Sequence, residues 1–107
     1  MNTIFINTNS IENIIKYTIN KNQFVKLYFK YFFNKIINKP IKIKFNNKNT
    51  ISINIDLSIK FSSPIDEILD NLNNEIKSNI KNFTKLNIKK INIFVKEIFN
   101  EEKINTN

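Results

Sequence analysis

The sequence predicts an α+β fold: a four-stranded sheet with two main helices packed on one face, in the order strand, helix, strand, strand, helix, strand. Three observations lead there. Ile51, Ile53, Ile55, Leu57, Ile59 and Phe61 alternate with Ser52, Asn54, Asp56, Ser58 and Lys60, and a period of two gives one strand an apolar face and a polar face. After Ser63-Pro64, the apolar residues Ile65, Ile68, Leu69, Leu72, Ile76, Ile80 and Phe83 recur at three- and four-residue steps, the repeat of a helix with a buried stripe. Ile91, Ile93 and Val95 then return to period two.

Thr3–Asn7 reads as a short opening strand, with Ile4 and Ile6 on one side. Thr8, Asn9 and Ser10 are all competent helix caps, and Glu12 follows Asn9 at capping-box spacing. The helix they open carries Ile11, Ile14, Ile15, Thr18 and Ile19 on one stripe and ends near Asn20-Lys21-Asn22. Residues 23–37 support two readings. As a strand, Val25, Leu27, Phe29, Tyr31 and Phe33 share a side; as a helix, Asn22, Lys26, Lys30 and Asn34 form a narrow polar stripe among aromatics. The reading adopted is a short extended piece near Phe24–Leu27, then a helix to about Ile37. Lys39-Pro40 breaks it.

Ile41, Ile43 and Phe45 alternate with Lys42 and Lys44 as the next strand. Asn46–Asn49 forms the turn of a hairpin with 51–61, asparagine supplying the positive φ that glycine would otherwise take. Ser63 is expected to cap the second helix, with Pro64 in its first position and Asp66, Glu67 and Asp70 in its opening turns, where the helix dipole favours anions. Lys77, Lys81 and Lys85 fall near its end. The last strand runs over about 88–98. Residues 1–99 read as one domain, and Asn100–Asn107 as a frayed polar tail.

The chain has 107 residues with 17 lysines, nine acids and a net charge of +8. Isoleucine, asparagine and lysine dominate, while His, Trp, Gly, Ala, Arg and Cys are all absent. The favoured residues have A/T-rich codons, so the genome's base composition accounts for much of this bias. It does not account for the distribution of charge. Residues 1–61 hold ten lysines against Glu12 and Asp56, whereas residues 62–107 hold seven lysines against seven acids. A one-sided basic surface follows. With no secretory leader in the N-terminal residues and no run near about 18 consecutive apolar residues, the expected location is cytoplasmic.

Without His or Cys, the Ser-His and Cys-His arrangements of nucleophilic catalysis cannot be built, nor thiolate metal sites. Without glycine, neither can phosphate-cradling loops. Asp66, Glu67 and Asp70 are accounted for by their helix position, and Asp56 by a solvated place on the polar strand face. The expectation is a protein that is not an enzyme, with no cofactor and no metal. Two surfaces remain. Phe24, Lys26, Tyr28, Phe29, Lys30 and Phe33 interleave lysine with aromatics, as suits a membrane interface or a protein groove; the plainer reading is that these rings fill the edge of the core. Lys42 and Lys44 could touch phosphates, which keeps open a nonspecific RNA-binding or ribosome-associated module.

With the elements in place, Thr50–Ile98 resembles the central part of the alkaline shock protein family, the envelope-stress proteins of Gram-positive bacteria and their wall-less relatives. The resemblance is carried by Ile51-Ser52-Ile53-Asn54-Ile55-Asp56-Leu57-Ser58-Ile59, by Ser63-Pro64-Ile65, by Thr84-Lys85-Leu86-Asn87-Ile88 and by Ile91-Asn92-Ile93-Phe94-Val95. Upstream, Ile4–Ile19 is similar to the family's opening strand and helix, so most of residues 3–98 is covered. Two features depart from the family: a glycine usually stands where Lys85 is, and the loop after the first helix is often glycine-rich where Phe24–Asn38 is aromatic. The resemblance implies a cytoplasmic, non-enzymatic protein, and the composition suits an A/T-rich, reduced bacterial genome. The resemblance also implies, as in several members, tethering at the membrane by a protein partner or a link to envelope homeostasis or lipid-synthesis control; peripheral membrane association through the aromatic segment and self-association are separate expectations.

Overall fold

The computed structural model describes residues 6–100, and within them the elements are α1 (Thr8–Asn20), β1 (Val25–Leu27), β2 (Tyr31–Phe32), β3 (Lys35–Ile36), β4 (Ile41–Asn47), β5 (Thr50–Lys60), α2 (Ile65–Thr84) and β6 (Asn87–Phe99). The alternating run predicts its own position: β5 lies at the centre of the sheet and every other main-sheet strand pairs with it. On one edge β6 runs parallel to β5 along its whole length. The other edge is shared end to end, β4 pairing antiparallel with the first half of β5 and β1 with the second. A parallel neighbour requires a crossover, and α2 supplies it.

Ile51, Ile53, Ile55, Leu57 and Ile59 are buried on one face of β5. Against them lie Ile11, Ile15 and Ile19 of α1 and Ile68, Leu72, Ile76 and Ile80 of α2, in a single cluster. Both helices therefore cover the same face, and the α+β sheet-and-helix architecture expected from the periodicities is the one observed. Of the strand expected at Thr3–Asn7, residues 3–5 lie outside the described residues, and Ile6 and Asn7 belong to no strand; among the described residues β1 is the fourth strand of the main sheet. The tail beyond Asn100 also lies outside them. In β6, register shifts opposite Ile51/Ser52 and Leu57/Ser58 leave Lys89 and Lys96 unpaired. These bulges bring Ile88 and Ile98 into line with the inward-facing Ile51 and Ile59, although their spacing to Ile91 and Val95 is three residues.

Several local expectations change. The cap of α1 is Asn7, whose Oδ1 accepts from the Ser10 N–H at 3.0 Å, rather than any of Thr8, Asn9 or Ser10. Ser63 does not cap α2; its hydroxyl turns back to the Lys60 carbonyl, and Pro64 takes the cap position without a side-chain hydrogen bond. No positive φ occurs over 46–49. There the Asn47 side chain accepts from the Asn49 N–H at 2.9 Å, and the resulting Asx turn closes the hairpin with right-handed backbone. Positive φ appears instead at Phe33, Asn34, Ser62 and Lys85. Phe61 and Phe83, read as the last members of their apolar rows, are 62% and 74% exposed: Phe61 lies just past the end of β5, and Phe83 sits in the last turn of α2.

Candidate interaction surface

The largest departure from expectation lies between β1 and β4. Residues after Leu27 do not turn helical. The Tyr28 N–H donates to the Asp56 carbonyl at 2.9 Å, and the Asp56 N–H donates to the Pro40 carbonyl at 2.8 Å. Tyr28 and Pro40 thus sit opposite the same residue of β5, and everything between them leaves the sheet edge and returns to it. A ten-residue helix would separate its ends by roughly 15 Å. A hairpin brings them together, and the shared strand edge selects it over the helical stripe.

The hairpin pairs Tyr31 with Ile36 and Phe32 with Lys35. The Ile37 N–H donates to the Lys30 carbonyl at 2.8 Å. Below that rung, Asn38 acts as a side-chain clamp: its Oδ1 accepts from the Lys30 N–H at 2.7 Å and its Nδ2 donates to the Tyr28 carbonyl at 3.0 Å. The tip is Phe33-Asn34 with φ of 48° and 65°, positive at both central residues as a two-residue type I′ turn requires. Asparagine tolerates that backbone. Phenylalanine resists it, at a cost of about 1 kcal/mol or more. One ion pair occurs among the described residues, and it ties the foot of this arm to α1: Lys39 Nζ to Glu12 Oε1, 3.4 Å.

Residues 31–37 are all exposed. Phe33 is 85% exposed, Tyr31 63% and Phe32 60%, with Ile36 and Ile37 about half exposed. The Phe32 and Phe33 rings meet edge-on with centroids 4.4 Å apart. Core filling therefore does not account for the aromatics of the arm.

The candidate residues divide into three groups. Phe24 and Tyr28 are half-buried, Phe24 packing against the core and Tyr28 holding the edge of β5. Phe29, Lys30 and Phe33 belong to the arm. Lys26, Lys42 and Lys44 lie on the outer face of the sheet, where Lys26 stands over the Phe99 ring at 4.3 Å from its centroid. Lys42 aligns with Asn54 and Asn92, and Lys44 with Ser52 and Lys90. Beside them Ser58, 1% exposed, donates to Glu97 at 3.0 Å. The sequence reading passed over Tyr31, Phe32, Ile36 and Ile37; the alternation from Val25 to Phe33 contains only Tyr31, and the other three come to the surface of the arm through the hairpin pairing. It also passed over Lys90, which only the parallel pairing brings beside Lys44. Asp66 and Glu67 occupy the first turn of α2, as the dipole argument expects. Among the described residues no three His, Cys, Asp or Glu side chains group as metal ligands would, and no helix is long and apolar enough to cross a membrane.

The fold, a β-α-β unit with an antiparallel second edge and both helices on one face, defines a small α+β protein whose sheet edge carries a projecting aromatic arm. The model of the alkaline shock protein 23 family, described as having a cell envelope-related function, matches residues 2–100. The chain belongs to that family, in agreement with the resemblance drawn from its strands and helix exit. Comparison with curated proteins and with solved structures gave no match.

Proposed function

We propose that this member of the alkaline shock protein family is a non-enzymatic interaction or scaffold module working at the cytoplasmic face of the cell membrane, with the 29–39 arm as its docking element. The observation that carries the reading is the arm itself: five large apolar side chains, Tyr31, Phe32, Phe33, Ile36 and Ile37, stand in solvent although they contribute nothing to the core. Exposed apolar surface collected in one place marks an interaction site. The absence of His and Cys supports the non-enzymatic part of the reading. The test is the pair Phe29→Ala and Phe33→Ala in the native cell. Association with the membrane fraction is expected to fall while circular dichroism stays unchanged, and undiminished association with an intact fold would overturn the docking role.

A second reading rests on the outer sheet face, where Lys42, Lys44 and Lys90 stand among Ser52, Asn54 and Asn92. These residues could follow a phosphate backbone, making the chain a nonspecific RNA-binding module. Binding through several phosphates weakens steeply between low and moderate salt, whereas docking through aromatic rings survives it.

A further inference from the structure

We infer that the 29–39 arm inserts its tip directly into an anionic lipid bilayer, which makes the lipid itself the partner; this rests on the docking role proposed above for the same arm. Paired residues of a hairpin share a face and successive pairs alternate. Tyr31 and Ile36 therefore occupy one face, and Phe32 and Ile37 the other, together with Lys30 and Lys35. Phe33 lies at the end of both.

A protein groove covers one side of a strand pair and leaves the other in water. A tip apolar on both faces fits a medium that surrounds it, and the boundary between lipid headgroups and acyl chains is such a medium. Aromatic rings favour that depth, and long lysine side chains reach back from it to the headgroups. Residues 31–36 form a short hairpin with about the reach of an interfacial segment, roughly 5–10 Å.

Charge selects the kind of lipid. No acid occurs between Glu12 and Asp56, a stretch that contains the whole arm and nine lysines, and Glu12 is itself matched by Lys39. Lys16, Lys26 and Phe29 line a groove of about 650 Å³ between α1 and the foot of the arm, where two lysines stand against one carboxylate, Glu97, which accepts from the Ser58 hydroxyl. Lysines clustered beside an inserted apolar group are drawn to anionic headgroups and gain little from neutral ones.

The chain has no tryptophan, so Phe33→Trp places a single reporter at the tip. With vesicles of equal parts phosphatidylglycerol and phosphatidylcholine, its emission is expected to shift to the blue and to be quenched by lipids brominated in the acyl chain. Pure phosphatidylcholine should leave it unchanged. In sedimentation of the otherwise native chain, Phe32→Ser with Phe33→Ser is expected to weaken vesicle binding at least about ten-fold; both side chains lie outside the core, so the melting curve should be retained. Equal binding by that double variant, or emission of the introduced tryptophan unmoved by the anionic vesicles, would overturn the lipid assignment. If vesicles fail to bind while membrane-fraction association in cells still depends on Phe33, the lipid assignment falls and the docking role stands with a protein as its partner. If cellular association is also independent of Phe33, both fall.

Discussion

Lys85 closes α2 with φ 60° and ψ 13°, and its N–H donates to the Lys81 carbonyl at 3.0 Å. This is the left-handed exit at which helices usually place glycine, and the one at which the alkaline shock family was expected to carry it. A lysine there bears a left-handed backbone cost of about 1–2 kcal/mol. Glycine would remove that cost but would enlarge the entropy of the unfolded chain by about 0.4–1 kcal/mol. Lys85→Gly is therefore expected to stabilise the protein by roughly 0.5–1 kcal/mol, read as a higher denaturant midpoint with an unchanged slope. A fall in midpoint would mean that the lysine side chain holds the exit by a contact of its own. Phe33 bears a similar backbone cost, but unlike Lys85 it closes no buried element. The same local strain thus serves the core at one position and displays an aromatic ring at the other.

At the scale of elements, the first edge of β5 is one interrupted strand. Leu27 pairs with Leu57 and Ile41 with Ile55, which leaves Tyr28 and Pro40 together opposite Asp56. Two residues against one is the count of a β-bulge. Deleting 29–39 and joining Tyr28 to Pro40 is accordingly expected to leave a folded protein with a bulged edge, showing a cooperative melt and unchanged helix content. The Lys39–Glu12 pair lost with the arm is exposed on the lysine side and contributes little. Collapse of the deletion variant would show that the arm supports the sheet. Retention of the fold with loss of membrane association would separate a stable body from the element that docks it.

Across the whole molecule, apolar side chains have two fates. Ile55, at the middle of β5, is fully buried in the cluster that both helices share, whereas Phe83, in the last turn of α2, is largely exposed. Ile55→Ala is expected to cost about 2–5 kcal/mol, a large part of the roughly 5–15 kcal/mol that a domain of this kind has in total. Phe83→Ser should fall within about 0.5 kcal/mol of the parent. Urea unfolding of the two variants measures both. Comparable losses would contradict a single core between sheet and helices.

What the sequence determined by itself is what repetition at a fixed period can state: β5, α1, α2 and β6 are legible because burial on one face imposes a period of two or of about 3.6 on the chain that bears it. The left-handed exit at Lys85 had no such trace in the residues themselves; only the family resemblance, with its usual glycine there, pointed to it. The arm had none either. Phe24–Ile37 is apolar at both spacings, so its own pattern did not choose between helix and hairpin. That choice was made by Asp56, distant in sequence, whose carbonyl and N–H hold Tyr28 and Pro40 side by side and require the intervening chain to return on itself. The same holds for Lys44 beside Lys90, which a parallel crossover brings together. Periodicity records which face of an element is dry; which elements meet, and so which rings remain in water, depends on pairing between residues far apart in the chain, and only the tertiary structure decides it.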